Sequence, residues 1–504
     1  MNINLIRNPL RTALALGLGI ALSGCAVGPD YQRPAPPQAK DYAPAGTPGD
    51  TAAVAGPDGD AQRFVREMDI PGQWWTLFHS EPLNALIDDS LKHNPDLAAA
   101  QEALKAAQEN VRAQQGAFWP QVTASVDPTR QKTGGVVASG VVSNATLYNL
   151  TTAQLSISYA PDLWGGNRRQ VESLVAQADA QRFQLEATYL TLTANLVNAA
   201  VGEASLRAQI ASTQDMIDSQ SKILETSRRQ LALGDQAESD LAAQEAALEQ
   251  VRATLPPLQK QLAQQRDLLA VLDARSPDQG PSAHFELDAL QLPQDLPMSL
   301  PARLVEQRPD VRMADAQLHA ACAQVGVAFA NRLPNIQITA NGGSAADQMH
   351  DLFGKGTSFW NLGAAITAPI FDGGTLKHRQ RAAEATYRQA AEQYRSTVMS
   401  ALQNVADALH AVQSDADAMV ADARAEQAAA HSLAIAQRQF ALGDISQVAL
   451  LNAQVTYRQA ELALVQARAA RYMDTVALFQ ALGGGWWNRK DVDAVVASGP
   501  DMSP

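Results

Sequence analysis

Cysteine is almost absent: the 504 residues hold two, Cys25 and Cys322. A disulfide framework is therefore excluded as the source of stability. Aromatic residues make up only 5% of the chain, while alanine is abundant. That balance is poor for one large globular core and suits long helices packed closely side by side. No stretch after residue 25 offers the roughly 18 consecutive apolar residues of a membrane-crossing helix, so any membrane span must be a closed β-barrel. Basic residues are outnumbered 52 to 39, for a formal charge of -13, which argues against a nucleic-acid partner. Catalytic signatures are missing too: there is no Gly-x-Ser-x-Gly, no His-Glu-x-x-His and no phosphate loop ending in Gly-Lys-Ser/Thr. The eight histidines are scattered, and Met349-His350-Asp351 reads as part of a solvated loop, not a soft-metal site. No catalytic residue, metal ligand or cofactor is assigned, and nothing here binds a nucleotide.

What is present begins at the N-terminus. Arg7 and Arg11 precede a short apolar run, Leu14 to Leu22, and then Leu22-Ser23-Gly24-Cys25. A basic region, a short apolar core and small residues before a cut site read as a secretory leader, residues 1–24. The tetrad resembles the bacterial lipobox, which implies cleavage before Cys25 and its acylation, a palmitate-type modification. Several acyl chains on one residue give stable anchoring. Acylation of Cys25 leaves no partner for Cys322, which sits in an Ala-rich helical run and reads as a small buried residue. Loss of the leader removes two arginines and leaves the mature chain two charges more acidic.

The mature chain opens with a Pro/Ala/Gly-rich segment, about 26–59, expected to be extended and irregular. The remainder is an internal duplication. His93-Asn-Pro-Asp-Leu97 answers Gln307-Arg-Pro-Asp-Val311. Trp119-Pro120-Gln121-Val122 answers Leu333-Pro334-Asn335-Ile336, and Pro161 with Gly165-Gly166 answers Pro369 with Gly373-Gly374. Arg229-Gln-Leu-Ala-Leu-Gly-Asp235 answers Arg438-Gln-Phe-Ala-Leu-Gly-Asp444. The organisation is then a leader (1–24), a lipidated N-terminal segment (25–70), a first repeat (71–275), a Pro-rich linker (276–300), a second repeat (301–485) and a tail (486–504).

Each repeat reads helix, strand, strand, long helix, turn, returning helix. Leu155, Ile157 and Tyr159 alternate with Gln154, Ser156 and Ser158, and Trp360, Leu362, Ala364 and Ile366 share one face, the period of strands. The strand near Val122 is weaker in pattern, because Pro128 falls inside it. Residues 167–233 hold no proline and one glycine, Gly202, and residues 375–442 hold neither. Helices of that length reach about 100 Å and must pack along neighbours as coiled-coil staves. Both end at Leu-Gly-Asp, where glycine supplies a left-handed cap.

Four strands of about ten residues cannot close, since the smallest membrane barrels have about eight. An open edge in lipid leaves N–H and C=O groups unpaired at several kcal/mol each, so several chains must share one barrel. Phe118, Trp119 and Trp164 flank one end of the strands and Tyr148, Phe359 and Trp360 the other, as interfacial girdles or as ordinary core packing.

The residues also resemble a family, the TolC/OprM outer-membrane factors in their lipoprotein, NodT-like branch. The resemblance covers roughly 65–487 and rests on the lipobox, the duplicated Pro-Asp, both Ala-Leu-Gly-Asp turns, Leu450-Leu-Asn-Ala-Gln454 and Ala481-Leu-Gly-Gly-Gly-Trp486. It implies an α+β membrane protein: a trimeric twelve-stranded β-barrel continuous with a long α-helical periplasmic barrel. The implied role is the outer-membrane exit duct of a tripartite efflux pump, conducting drugs or other small molecules passively. The implied partners are two further copies of the chain, a periplasmic adaptor, an inner-membrane transporter and outer-membrane lipid; Ala26 after the cysteine favours the outer membrane. The tips Leu233, Gly234, Asp235, Leu442, Gly443 and Asp444 are the implied adaptor-docking surface. In OprM-like members an aspartate on the returning helix narrows the pore, one turn from an apolar residue. The matching positions are Asn452 and Val448, so the charged ring is missing and a neutral polar gate is expected, with Asp240 the next candidate. A type I protein-secretion duct is the rival within the class. A coiled-coil structural lipoprotein is the rival outside it, and the four alternating segments count against that.

Overall fold

A computed structural model describes residues 26–35, 37–39, 41–42, 49–134, 146–234 and 237–489. The leader, Cys25, Asp235 and the tail beyond 489 lie outside them. Short strand β1 (Arg63–Arg66) leads to helices α1 (Glu81–His93) and α2 (Pro95–Gln115). Strands β2 (Gln121–Lys132) and β3 (Leu147–Tyr159) follow, then the long helix α3 (Gly166–Leu233) and its return α4 (Glu238–Leu272). Strand β4 (Asp295–Met298) and the short α5 (Pro301–Gln307) open the second repeat: α6 (Pro309–Ala330), β5 (Asn335–Ala346), β6 (Ser358–Thr367), α7 (Thr375–Leu442) and α8 (Gln447–Ala481). Helices α3 and α7 have 68 residues each, and α4 and α8 have 35 each, so the two hairpins match residue for residue.

The duplicated Pro-Asp has a physical reason. Asn94 caps α2, its side chain accepting the backbone N–H groups of Asp96 (2.9 Å) and Leu97 (3.3 Å), with Pro95 in the first turn. In the second copy Arg308 replaces the asparagine. Its guanidinium instead donates to Asp310 (2.9 and 2.6 Å) and to the carbonyl of Ala481 (2.9 Å), tying the start of α6 to the end of α8. Each long helix opens after a left-handed glycine, Gly165 (φ 71°) and Gly374 (φ 88°). Asp162 accepts the N–H groups of Asn167 and Arg168, and Asp372 those of Gly374 and Leu376, so a carboxylate satisfies orphan donors at both helix starts.

The core is a belt around the middle of the long helices. Leu196, Val197 and Val201 of α3, Val405 and Leu409 of α7, and Tyr472, Val476 and Phe479 of α8 are buried there with Trp74, Trp75 and Phe78. Trp74 stacks on Phe479 at 5.4 Å. The linker and the N-terminal segment are less irregular than their composition implies: β1 and β4 pair in parallel from Arg63↔Asp295 to Arg66↔Met298.

The sheet order is β2-β3-β5-β6, antiparallel throughout. Pro128 does not interrupt β2, which runs through it as an edge strand of this sheet, the position that tolerates proline. Register places Val122, Ile157, Ala340 and Leu362 in one cross-strand row, with Ala124, Leu155, Gly342 and Trp360 in the next. That face is apolar and exposed: Val122 63%, Leu155 56%, Leu362 70%, Ile366 72%. The opposite face is polar, with Asn341 donating to Asn361 (2.9 Å) and Gln337 to Ser158 (3.0 Å). Of the flanking aromatics, Trp360 falls on the apolar face, while Tyr148 and Phe359 fall on the polar one by alternation. Phe118 packs into the α2–α3 cluster around Val111, so it belongs to a helical core. Trp119 is 75% exposed. No helix among the described residues is long and apolar enough to cross a membrane.

Residues 27–33 form a strap along α3 and α6. Val27 donates its backbone N–H to Trp164 O (3.0 Å), Asp30 pairs with Arg169 (2.6 Å), and Arg33 with Asp315 (2.9 Å). Tyr31 stacks on His319 at 4.3 Å and hydrogen-bonds Asp315. His319 hydrogen-bonds Glu172 (2.9 Å) and, with Arg169, holds its carboxyl below the usual range against the opposing effect of burial. The strap fits because Gly326 has no side chain: a Cβ there would lie 2.9 Å from Val27 O and 2.8 Å from Arg169 Cγ. Gly326→Val should lift the strap at about 1–3 kcal/mol of overpacking. Limited proteolysis should then cut within residues 27–35 in the variant and spare the parent.

Candidate functional site at the hairpin tips

The tips form where α3 and α7 end. Gly234 (φ 82°, ψ 10°) and Gly443 (φ 80°, ψ 12°) both take the left-handed conformation and close the helices through N–H contacts to Leu231 O and Phe440 O. Asp444 adds an N–H to Gln439 O (2.9 Å). A Cβ at either glycine would meet nothing within 4 Å. The requirement for glycine is therefore backbone conformation alone, about 1–2 kcal/mol for an L-residue. Beside them Leu233 and Leu442 are each 77% exposed, so each tip carries an uncovered leucine.

On α8, Gln447, Leu450 and Gln454 are buried, while Val448 and Asn452 are exposed. Val455 continues that exposed stripe at 43%, a member that sequence reasoning missed although its i, i+4, i+7 spacing from Val448 signalled it. Asn452 contributes its backbone carbonyl to the Thr456 hydroxyl (2.9 Å). Asp240 lies in the first turn of α4 and is only partly covered.

Another feature invisible to sequence reasoning is the seam between α3 and α8. Gln466 donates to Gln209 (3.4 Å), Ser212 bonds Glu461, and Gln447 donates to Ser227 (3.3 Å) and, across to α4, to Gln244. Within this ladder Gln220 and Gln454 are 2% and 1% exposed. Among the described residues neither amide atom of Gln454 has a hydrogen-bond partner, nor does Gln220 Oε1. By contrast α3 and α4 join through Met216, Ile217, Leu224, Leu248 and Val251. Toward the tips, then, the first hairpin is glued internally by apolar contact, while its seam with the second is mainly polar, Tyr457 of α8 alone packing on the apolar cluster among the described residues. Higher on the second hairpin, burial, then the hydrogen bond and charge of Asp415, push the Asp474 carboxyl up to about 7.

A sheet with one apolar and one polar face, continued by two long coiled-coil hairpins, defines the class: a protein of the outer-membrane duct type. The chain belongs to the outer membrane efflux protein family, whose model matches residues 86–274 and 300–484. It is similar to the probable efflux pump outer membrane protein TtgC of Pseudomonas putida, 29% identical over 471 residues that cover 93% of this chain and 94% of that one. It is also similar to the pyoverdine export outer membrane protein OpmQ of Pseudomonas aeruginosa, 28% identical over 82% of this chain and 87% of the other. Among solved structures, the outer-membrane channel OprN superposes with a TM-score of 0.79 at 27% identity, over 92% of this chain and all of that one. The protein is thus an outer-membrane efflux channel component.

Gln454→Leu should stabilise the protein by about 1–3 kcal/mol, because it removes a buried amide without partners. The check is the midpoint of thermal unfolding followed by far-UV circular dichroism; an unchanged or lower midpoint would show that the amide is satisfied in the assembled protein.

Proposed function

We propose that three copies of this chain close a twelve-stranded barrel whose polar face lines a passive exit duct, continued by a tunnel of their hairpins into the periplasm. The carrying observation is the pair of bare edges, β2 and β6, on a four-stranded sheet with one apolar face. Neither edge has a partner among the described residues, and lipid supplies none. In this reading Cys25 is acylated and holds the N-terminal segment at the membrane, where the strap passes Trp164. A periplasmic adaptor docks on the exposed tips around Leu233, Gly234, Asp235, Leu442, Gly443 and Asp444. An inner-membrane transporter supplies the energy, and the cargo is drugs or other small molecules, in keeping with TtgC as an efflux pump protein and OpmQ as a pyoverdine export protein. Mass measurement of the purified protein in mild detergent should give a trimer whose chains begin at an acylated Cys25. A stable monomer that keeps its β signal rules out the shared barrel.

The resting gate is a ring that includes Asn452, with Val448 one turn nearer the tip. Three neutral amides tolerate close approach around an axis, where three carboxylates would repel. Asn452→Asp should raise cation conductance of single channels in planar bilayers. That gain should fade as pH drops through the carboxylate range, because protonation restores a neutral ring. Conductance and pH profile identical to the parent would place the constriction elsewhere, with Asp240 the next position to replace.

A further inference from the structure

The loop between β5 and β6 has no role in the duct as described so far. It runs from Asp347 to Thr357 and contains the short helical turn Met349–Asp351. At the same end of the sheet, Thr151, Ser344 and Ala346 are only 6%, 6% and 7% exposed. Register puts them on the apolar face: Thr151 pairs with Ala346 and Ala153 with Ser344, in two-residue steps from Leu155. Further along that face Leu155 is open, so something covers the far end alone. The loop does. Leu352 is 4% exposed, and Phe353 and Gly354 share a shallow cleft of about 520 Å³ with Ala124, Val126, Ala153 and Leu155.

The loop is folded back firmly. Ala345 donates its N–H to Thr357 O (2.9 Å), Ser344 and Thr357 join through their hydroxyls (2.6 Å), and the Thr357 hydroxyl reaches the carbonyls of Leu352 (3.0 Å) and Gly354 (2.9 Å). With Leu352 as the inward anchor, Met349 at 67% and Phe353 at 84% exposure remain uncovered. Large apolar side chains held open by an ordered loop are costly in water and favourable in an acyl-chain environment.

We propose that residues 347–357 form a collar inserted into the outer leaflet, presenting Met349 and Phe353 to lipid acyl chains as a continuation of the apolar face that carries Trp360 and Leu362. The inference rests on the duct reading, since it requires that face to meet lipid. The partner is the lipid itself: the exposed pair is contiguous with the sheet's apolar rows, whereas a loop serving the pore would fold over the polar face.

The test uses the full-length lipidated protein in vesicles of phosphatidylethanolamine and phosphatidylglycerol, in a Cys322→Ser background. Nitroxide labels are placed singly by Met349→Cys and Phe353→Cys, with Leu362→Cys and Asn361→Cys as references for the two faces. Spin-relaxation enhancement by oxygen should exceed that by a water-soluble nickel chelate several-fold at 349, 353 and 362, and the order should reverse at 361. Nickel dominance at both 349 and 353, with oxygen dominance kept at 362, overturns the collar and leaves the duct intact. Nickel dominance at 362 as well overturns the duct reading with it. All four substitutions fall on exposed or half-buried positions, and only samples that retain the parent's assembly size are compared.

Discussion

Backbone hydrogen bonding in lipid is the constraint on which the rest of this structure depends. A strand edge in water is a liability that solvent tolerates; in hydrocarbon each unpaired N–H or C=O costs several kcal/mol. The sheet β2-β3-β5-β6 has such an edge on either side. The described residues hold no further strand to offer, because β1 and β4 pair with each other beside the central belt. In the barrel proposed above, the sheet finds its missing partners in further copies of itself, and the hairpins attached to each copy are carried into the same ring. On that reading, closure of the barrel and the ring of hairpins follow from one requirement.

Duplication supplies the material, and the two copies diverge where their surroundings differ. Asn94 caps its helix from within, whereas Arg308 gives up the cap to reach Asp310 and the end of α8. The tips stay alike, because the turn at Gly234 and Gly443 is governed by backbone conformation and not by packing. The internal glue of the hairpins also differs. Leucines and a methionine bind α3 to α4, while the residues of α7 buried nearest its tip are alanines, Ala429 and Ala436.

Much of this was legible in the sequence because it is periodic. The alternation of Leu155, Ile157 and Tyr159 and the long proline-free runs translate directly into strand faces and helix length. The glycine caps were legible for the same reason: Leu-Gly-Asp ends both runs. Pro128 misled, since β2 keeps its register with β3 straight through it, Pro128 opposite Thr151, and one missing N–H does not end a twelve-residue strand. The strap of residues 27–33 was hidden in a Pro/Ala/Gly-rich composition; its contacts to Arg169 and Asp315 span 139 and 284 positions, that to Gly326 is as distant, and none has a local signal. The family supplied Asn452 by position. Val455 and the glutamines facing α3 needed the helix pairing to be known.

That pairing bears on how a duct of this kind could open. An apolar seam is held by the solvent's exclusion and gains nothing from water entering it. A seam of glutamines and serines is different, because water replaces each hydrogen bond as it breaks, leaving a net cost of only about 0.5–1.5 kcal/mol per bond. Gln454 and Gln220 go further: buried with amide atoms unpartnered, they stand to gain partners when the seam parts. The separation that leaves the α3–α4 core of Met216, Ile217, Leu224, Leu248 and Val251 intact while parting α3 from α8 only near the tips, short of the apolar belt where Leu196, Val197 and Val201 meet Tyr472, Val476 and Phe479, is thus the least costly one. It moves the helix that carries Val448, Asn452 and Val455, so the low-cost motion and the exposed stripe belong to the same element.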